Sequence, residues 1–170
     1  IIKSNITDSK FYGVTPENYK LTGLAIQQIG ALIKKNPITY MGPDVGGLAL
    51  CCQNINIIDS ALLTNKTLAH KGYSYFEDVL RKEIPDVIET HEVWAKVSKI
   101  YELKYFTNNY APIIFNKNLF WLHIKHIKNS RNLVFKKIKP SEIPSDTRYF
   151  TDIQDIVNIK SNYKFIYLVE

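Results

Sequence analysis

Ile38-Thr39-Tyr40-Met41-Gly42-Pro43-Asp44-Val45-Gly46-Gly47-Leu48-Ala49-Leu50-Cys51-Cys52 is the stretch on which the fold turns. Ile38 to Met41 is an apolar run of the length of a buried strand, and the glycines from Gly42 to Gly47 let the chain turn sharply. Leu48 to Cys52 then reads as a short helix. The unit recurs downstream. Asn56-Ile57-Ile58-Asp59 is a second strand ending in an acid, and Leu63 to Lys71 a helix begun by Thr64 or Asn65. Tyr75 to Ile84 is a further helix, and Pro85-Asp86-Val87-Ile88-Glu89-Thr90-His91 a third strand that again ends in polar residues. Upstream, Glu17 to Lys35 is an amphipathic helix with Tyr19, Leu21, Leu24, Ala25, Ile29, Leu32 and Ile33 at helical spacing. Thr15 or Pro16 opens it and Asn36-Pro37 stops it.

Near-continuously apolar strands alternating with short helices indicate a parallel sheet covered on both faces. The expected class is therefore α/β: a mainly parallel, Rossmann-like but truncated sheet covered by helices, with antiparallel strands added from the C-terminal half. In that half Tyr105-Phe106, Ala111 to Phe115 and Leu119 to Ile124 read as strands, the last two joined as a hairpin through Asn116-Lys117-Asn118. Tyr163 to Val169 adds another. Lys136 to Thr147, with Pro140 and Pro144, reads as an exposed connection, and residues 149–160 fit helix or strand equally.

At 170 residues and 45% hydrophobic, residues 1–170 suit one domain with a real core. The charge is uneven. Residues 1–95 carry 9 basic and 10 acidic side chains, whereas residues 96–170 carry 13 and 6. A basic half can face nucleic acid, anionic headgroups or a phosphorylated substrate, or can simply be a solvated lysine-rich surface. The Tyr and Phe residues are dispersed, which favours core packing over a base-stacking platform. No apolar run approaches the roughly 18 residues of a membrane span, and no signal-peptide pattern opens the chain. The single methionine is Met41 and the chain opens Ile1-Ile2-Lys3, so a piece of a larger protein is expected.

In parallel sheets the working groups gather at the carboxyl ends of strands. Asp44, Asp59, Glu89 and His91 fall at such ends. Asp44 either caps the following helix or touches a ligand, and Asp59 with Thr64 and Asn65 has the same two readings. The Gly42–Gly47 turn lacks the spacing of a phosphate loop or a dinucleotide fingerprint. His91-Glu92-Val93-Trp94 is not His-Glu-x-x-His, because position 95 is alanine. His123 and His126 would face opposite sides of a strand. No metal site, cofactor or self-announcing nucleophile is expected. Adjacent cysteines rarely bridge, because the geometry strains the peptide between them, so Cys51 and Cys52 read as small buried hydrophobes.

The order of these residues resembles a known pattern. Tyr40 to Leu50, then Ile57-Ile58-Asp59-Ser60-Ala61-Leu62-Leu63-Thr64-Asn65-Lys66-Thr67-Leu68-Ala69, then Leu80 to His91 with Pro85-Asp86-Val87-Ile88, is similar to the C-terminal extracytoplasmic domain of polytopic membrane glycosyltransferases of the lipid-linked-sugar (GT-C) type, including the mycobacterial arabinofuranosyltransferases. The likeness covers about 50 residues of the chain, roughly 40 to 91. Leu62 stands where that family usually has Gly, and Asn65 replaces its Asp. The resemblance implies a domain on the periplasmic side of the inner membrane, attached to its own transmembrane bundle and lying beside the membrane surface. It also implies that the aspartate assisting sugar transfer lies elsewhere, so no catalytic residue is expected in this chain.

The expected function is thus assistance in binding a lipid-linked sugar or acceptor glycan, with Asp44, Gly46, Asp59, His91 and Trp94 as ligand-binding candidates. Trp94 and Trp121 could stack on sugar rings or pack in the core. Two alternatives belong to other classes: a free-standing hydrolytic α/β enzyme using strand-end acids with His91, and a basic nucleic-acid-binding module. The leading reading involves no nucleic acid.

Overall fold

A computed structural model describes residues 16–129, 135–147, 159 and 161–169, with backbone alone at 16–18 and 92. The protein is a mixed α/β structure built on one seven-stranded sheet. Helix α1 (Pro16–Leu32) leads into β1 (Ile38–Gly42), α2 (Gly46–Cys51) and β2 (Ile55–Asp59). Next come α3 (Lys66–Lys71), α4 (Phe76–Glu83), β3 (Val87–Ile88), α5 (Glu92–Ser98) and α6 (Lys104–Asn109). The hairpin strands β4 (Tyr110–Phe115) and β5 (Asn118–His123) follow, then α7 (Ile124–Asn129), β6 (Phe135–Ile138) and β7 (Ile166–Val169).

The strand order is β2-β1-β3-β5-β4-β7-β6. Strands β2, β1 and β3 run parallel, with Tyr40 opposite both Ile57 and Val87. Beyond β3 the sheet changes. The β3–β5, β5–β4 and β7–β6 pairings are antiparallel, and β4–β7 is parallel. A mainly parallel sheet is therefore found only over β2-β1-β3. The cause is local: Asn116 and Lys117 both take left-handed backbone, with φ of 46° and 61°, and a two-residue turn of that hand folds β4 directly onto β5.

Both faces are covered, which explains the unbroken apolar runs. Neighbouring residues point to opposite faces of a strand. Met41, Ile88 and Ile114 join one core with Leu80, Phe106, Leu119 and Trp121. Tyr40, Val87 and Ile113 join another with Ile26, Ile29, Phe120 and Leu122. Helix α1 covers the second face through Ala25, Ile26 and Ile29, spaced to lie on one side of the helix.

Asp86 ties the parallel part of the sheet to the antiparallel part. Its backbone N–H donates to Thr39 O (2.8 Å) and its carbonyl accepts the His123 N–H (3.0 Å). One carboxylate oxygen accepts the Thr39 N–H at 3.1 Å, and the other lies 2.7 Å from His126 Nε2 and 3.2 Å from Lys125 Nζ. Burial pushes this carboxyl up. The His126 hydrogen bond, the Thr39 amide and the charges of Lys125 and His126 outweigh it and hold Asp86 at about 2. Strand β5 ends at His123 and α7 begins at once, so His126 is not on the strand. Both rings therefore reach this joint, 6.4 Å apart.

Three other sequence expectations are corrected. Tyr105 and Phe106 lie in α6, because Thr107 and Asn109 bond back one turn to Leu103 and Tyr105. Lys136 and Lys137 lie in β6 rather than in a connection; exposed lysines are a common way to blunt an edge strand. Cys51 and Cys52 are bonded to each other. They pack against Gly23 of α1, where a Cβ would collide with the Cys52 sulfur. Cys51 is exposed and only Cys52 is buried, so the pair is not a pair of core hydrophobes. Most of residues 149–160 lie outside the described residues.

Candidate functional site

The candidate residues meet where the chain reverses direction across the sheet. From β1 the path goes first to β2 on one side and then to β3 on the other, a reversal outside whose strand carboxyl ends open α/β sheets usually bind ligands. Asp44 comes two residues after β1. Glu89 follows β3 at once, and His91 stands just before α5.

Tyr40 and Gly42 share one face of β1. Gly42 has no side chain, and a Cβ there would collide with the Tyr40 hydroxyl. The Tyr40 ring therefore lies along the strand toward its carboxyl end, where its hydroxyl donates to Glu89 Oε2 at 2.7 Å. The other Glu89 oxygen is 3.3 Å from His91 Nδ1, and His91 Nε2 is 3.2 Å from Asp44 Oδ2. Tyr40, Glu89, His91 and Asp44 thus form one chain of polar contacts from the core to the surface. Glu89 is 3% exposed, whereas the Asp44 side chain is 28% exposed. Burial raises Glu89; the Tyr40 hydrogen bond lowers it and the Asp44 charge raises it further, to about 7.

The other candidates are placed differently. Asp59, at the end of β2, is buried and turns onto its own loop, accepting the N–H groups of Ala61 (2.7 Å), Leu63 (2.9 Å) and Thr64 (2.6 Å). Asn65, not Thr64, caps α3, accepting from Leu68 N–H at 3.1 Å. Asp44 makes no cap: the N-cap of α2 is Val45, without a side-chain bond, and the carboxylate turns to His91 instead. Gly46 is exposed, with open space around the position of a Cβ. Trp94 is half-buried in the first turn of α5, and its backbone N–H donates to His91 O at 3.1 Å. Trp121 is fully buried among Tyr101, Phe106 and Tyr163 and reaches no surface.

Tyr40 is the member of the cluster that the sequence did not announce. Its signal was Gly42 two residues on, the spacing at which a missing side chain makes room along a strand. Among the described residues no group of three or more metal-ligating side chains occurs, and no helix is long and apolar enough to cross a membrane. Chemically, the arrangement offers the Asp44 carboxylate as a partly exposed acceptor, with the His91 imidazole and a buried, proton-retaining Glu89 carboxyl behind it.

No protein-family model matches the chain. Neither the curated proteins nor the solved structures give a match.

Proposed function

We propose that the chain is the extracytoplasmic domain of a membrane glycosyltransferase-like protein, and that it helps to bind a lipid-linked sugar or acceptor glycan in the crevice between β1 and β3. The observation that carries the reading is the convergence of Asp44, His91 and Glu89 at the strand reversal, the usual ligand position in open α/β sheets. The residues similar to the glycosyltransferase domain, roughly 40 to 91, coincide with β1 through β3, a parallel unit that we read as a truncated Rossmann-like one. The Cys51–Cys52 disulfide suits an oxidising compartment. The exposed Lys136 and Lys137 of β6 lie in the other half of the sheet, with Lys137 Nζ 5.5 Å from the Phe165 ring centroid. Such an edge suits anionic headgroups at the membrane surface.

Two measurements test this. The parent gene should encode membrane spans upstream of Ile1, and a gene without any sinks the reading. The isotope-labelled chain, titrated with a neutral oligosaccharide such as maltotriose, should show shifts at Gly42, Asp44, His91 and the Trp94 indole. Asp44→Asn should weaken that binding about tenfold, as expected for a lost charge-assisted hydrogen bond.

A second reading is favoured by one observation. A buried carboxyl held near neutrality beside a histidine is the equipment of general acid–base catalysis. A free-standing hydrolytic enzyme of this kind predicts an activity of the isolated chain that Asp44→Asn or His91→Ala abolishes.

A further inference from the structure

The two edges of the sheet are built differently. The outer strand β6 carries the exposed Lys136 and Lys137. The outer strand β2, Ile55-Asn56-Ile57-Ile58-Asp59, has no lysine, proline or bulge, the usual means of blunting an edge. Its one charged side chain, Asp59, is buried and turned onto its own loop.

The register shows which groups of β2 face outward. Ile38 N–H donates to Asn54 O and Ser60 N–H to Gly42 O, so Asn56 and Ile58, which alternate between them, bond to β1. The N–H and C=O groups of Ile55, Ile57 and Asp59 therefore point away from β1. No strand among the described residues pairs with that side. The three outward residues are symmetric about Ile57. A two-fold axis through Ile57, perpendicular to the sheet, sets Ile57 opposite its own copy and Ile55 opposite Asp59 of the partner subunit. In an antiparallel ladder each such opposed pair exchanges two backbone bonds.

The surface around this edge is short of charge. Residues 21–65 carry only Lys34, Lys35, Asp44 and Asp59, four of the 38 charged side chains (22 basic and 16 acidic) on 45 of the 170 residues. Large apolar side chains stand in solvent there: Leu50 of α2 is 91% exposed, and Leu63, just after β2, is 78% exposed. Depletion of charge together with exposed apolar side chains is the composition of an interface core. A chain of net charge +6 repels its own copy over most of its surface, but not here. Antiparallel pairing also sets the amino end of β1, preceded by Lys34 and Lys35, level with the carboxyl end of the same strand in the other copy, followed by Asp44. Opposite signs then meet at both ends. Helix α2, the crossover into β2, lies on the Tyr40 face, where its Leu48 joins the core. The two copies of α2 thus share one face of the joined sheet, one on each side of the axis.

We infer that the β2 edge is an interface between two copies of this chain, which join β2 to β2 antiparallel in one continuous sheet and cover Leu50 of each α2 at the same contact. The inference does not depend on any ligand at the strand ends.

The test is the oligomeric state of the intact chain, by sedimentation velocity over a dilution series, with amide hydrogen exchange in the same samples. A dimer that dissociates on dilution is expected. In the dimer the amides of Ile55 and Ile57 should be as protected as those of Asn56 and Ile58; in the monomer the first two should lose protection and the other two keep it. Leu50→Lys alters a solvent-exposed side chain, so the fold is kept, and it sets like charges on both sides of the axis. It should weaken the dimer about tenfold or more. Ile57→Pro removes the outward N–H at the axis, which costs the monomer no ladder bond, and should leave a monomer. Should that variant fail to fold, Leu50→Lys decides alone. Lys137→Glu, on the opposite edge, should leave the dimer as it is. A chain that is monomeric at every concentration overturns the inference, and so does a dimer that Lys137→Glu weakens and Leu50→Lys does not. A monomer that floats with phosphatidylcholine vesicles overturns it as well, and assigns the uncharged surface to a bilayer.

Discussion

Asp44 and Asp59 occupy equivalent places, each at the carboxyl end of a parallel strand, yet their carboxylates do different work. Asp59 satisfies three backbone N–H groups of the loop that follows it, at 2.6 to 2.9 Å. Removing the acceptor costs the three bonds and leaves the buried Ala61 amide, and in part the other two, without a partner. Asp59→Ala should therefore lower stability by about 3 kcal/mol, and Asp59→Asn by less, since one oxygen remains. Asp44 is partly exposed, and its approach to His91 at 3.2 Å is a surface ion pair, so the loss of that pair in Asp44→Asn should cost less than about 1 kcal/mol. Urea denaturation of the three variants gives the ranking, and a larger loss for Asp44→Asn would make it the structural acid of the pair. From the sequence the two aspartates were indistinguishable. What separates them is whether the next loop curls back far enough to present its amides, and no residue spacing reports that.

At the scale of elements, the legible parts were those with strong local signals. The parallel unit was readable because β1, β2 and β3 are apolar on both faces and each is followed by a turn and a helix. The hairpin was readable because Asn116-Lys117 lies between two apolar runs. Tyr105-Phe106 misled because two aromatic residues cannot distinguish a period of 2 from one of 3.6. The edge strand β6 was hidden because its lysines look like loop. The sheet order beyond β3 was hidden too, since β7 reaches its place beside β4 across a separation in sequence that local pattern does not encode. The hairpin carries a prediction of its own. Lys117 sits at φ 61°, a conformation costing a non-glycine residue about 1–2 kcal/mol. Lys117→Gly makes the Asn-Gly turn that this geometry favours. It should raise stability by about 0.5 kcal/mol or more after the greater entropy of an unfolded glycine is subtracted. Lys117→Val should lower it by about 1 kcal/mol. The ion pair of Lys117 with Asp146 is exposed on both sides and adds little. Asp146→Asn as a control isolates it in thermal melts, where equal melting temperatures for Lys117→Gly and wild type would contradict the turn assignment.

At the scale of the whole molecule, two buried groups at opposite ends of the sheet oppose each other in their response to pH. Glu89 has its carboxyl raised from 4.5 to about 7. Unfolding lets it ionise, so its contribution to stability is fully present below pH 4.5 and is lost as pH rises toward 7. His123, buried beside Tyr110 with Lys125 and His126 nearby, is lowered from 6.5 to about 4, mainly by burial and then by those positive charges. Unfolding lets it protonate, so its contribution is present above 6.5 and is lost as pH falls toward 4. Each shift corresponds to on the order of 3 kcal/mol, and the two windows nearly coincide. The wild type should therefore show little net change in stability from this pair between pH 4.5 and 6.5. Single variants should unmask each half. In Glu89→Gln the His123 contribution stands alone, and stability should fall on acidification across that range. In His123→Asn, whose amide oxygen can still accept the Lys125 N–H made at 3.2 Å, stability should rise on acidification instead. Denaturation midpoints of the three proteins at pH 4.5, 5.5 and 6.5 decide the matter. Parallel profiles for the two variants would mean that one of these groups is solvated in the folded protein. The stability that Glu89 contributes is lost near neutrality, and the joint at the far end of the sheet has its largest stabilising effect in that same range.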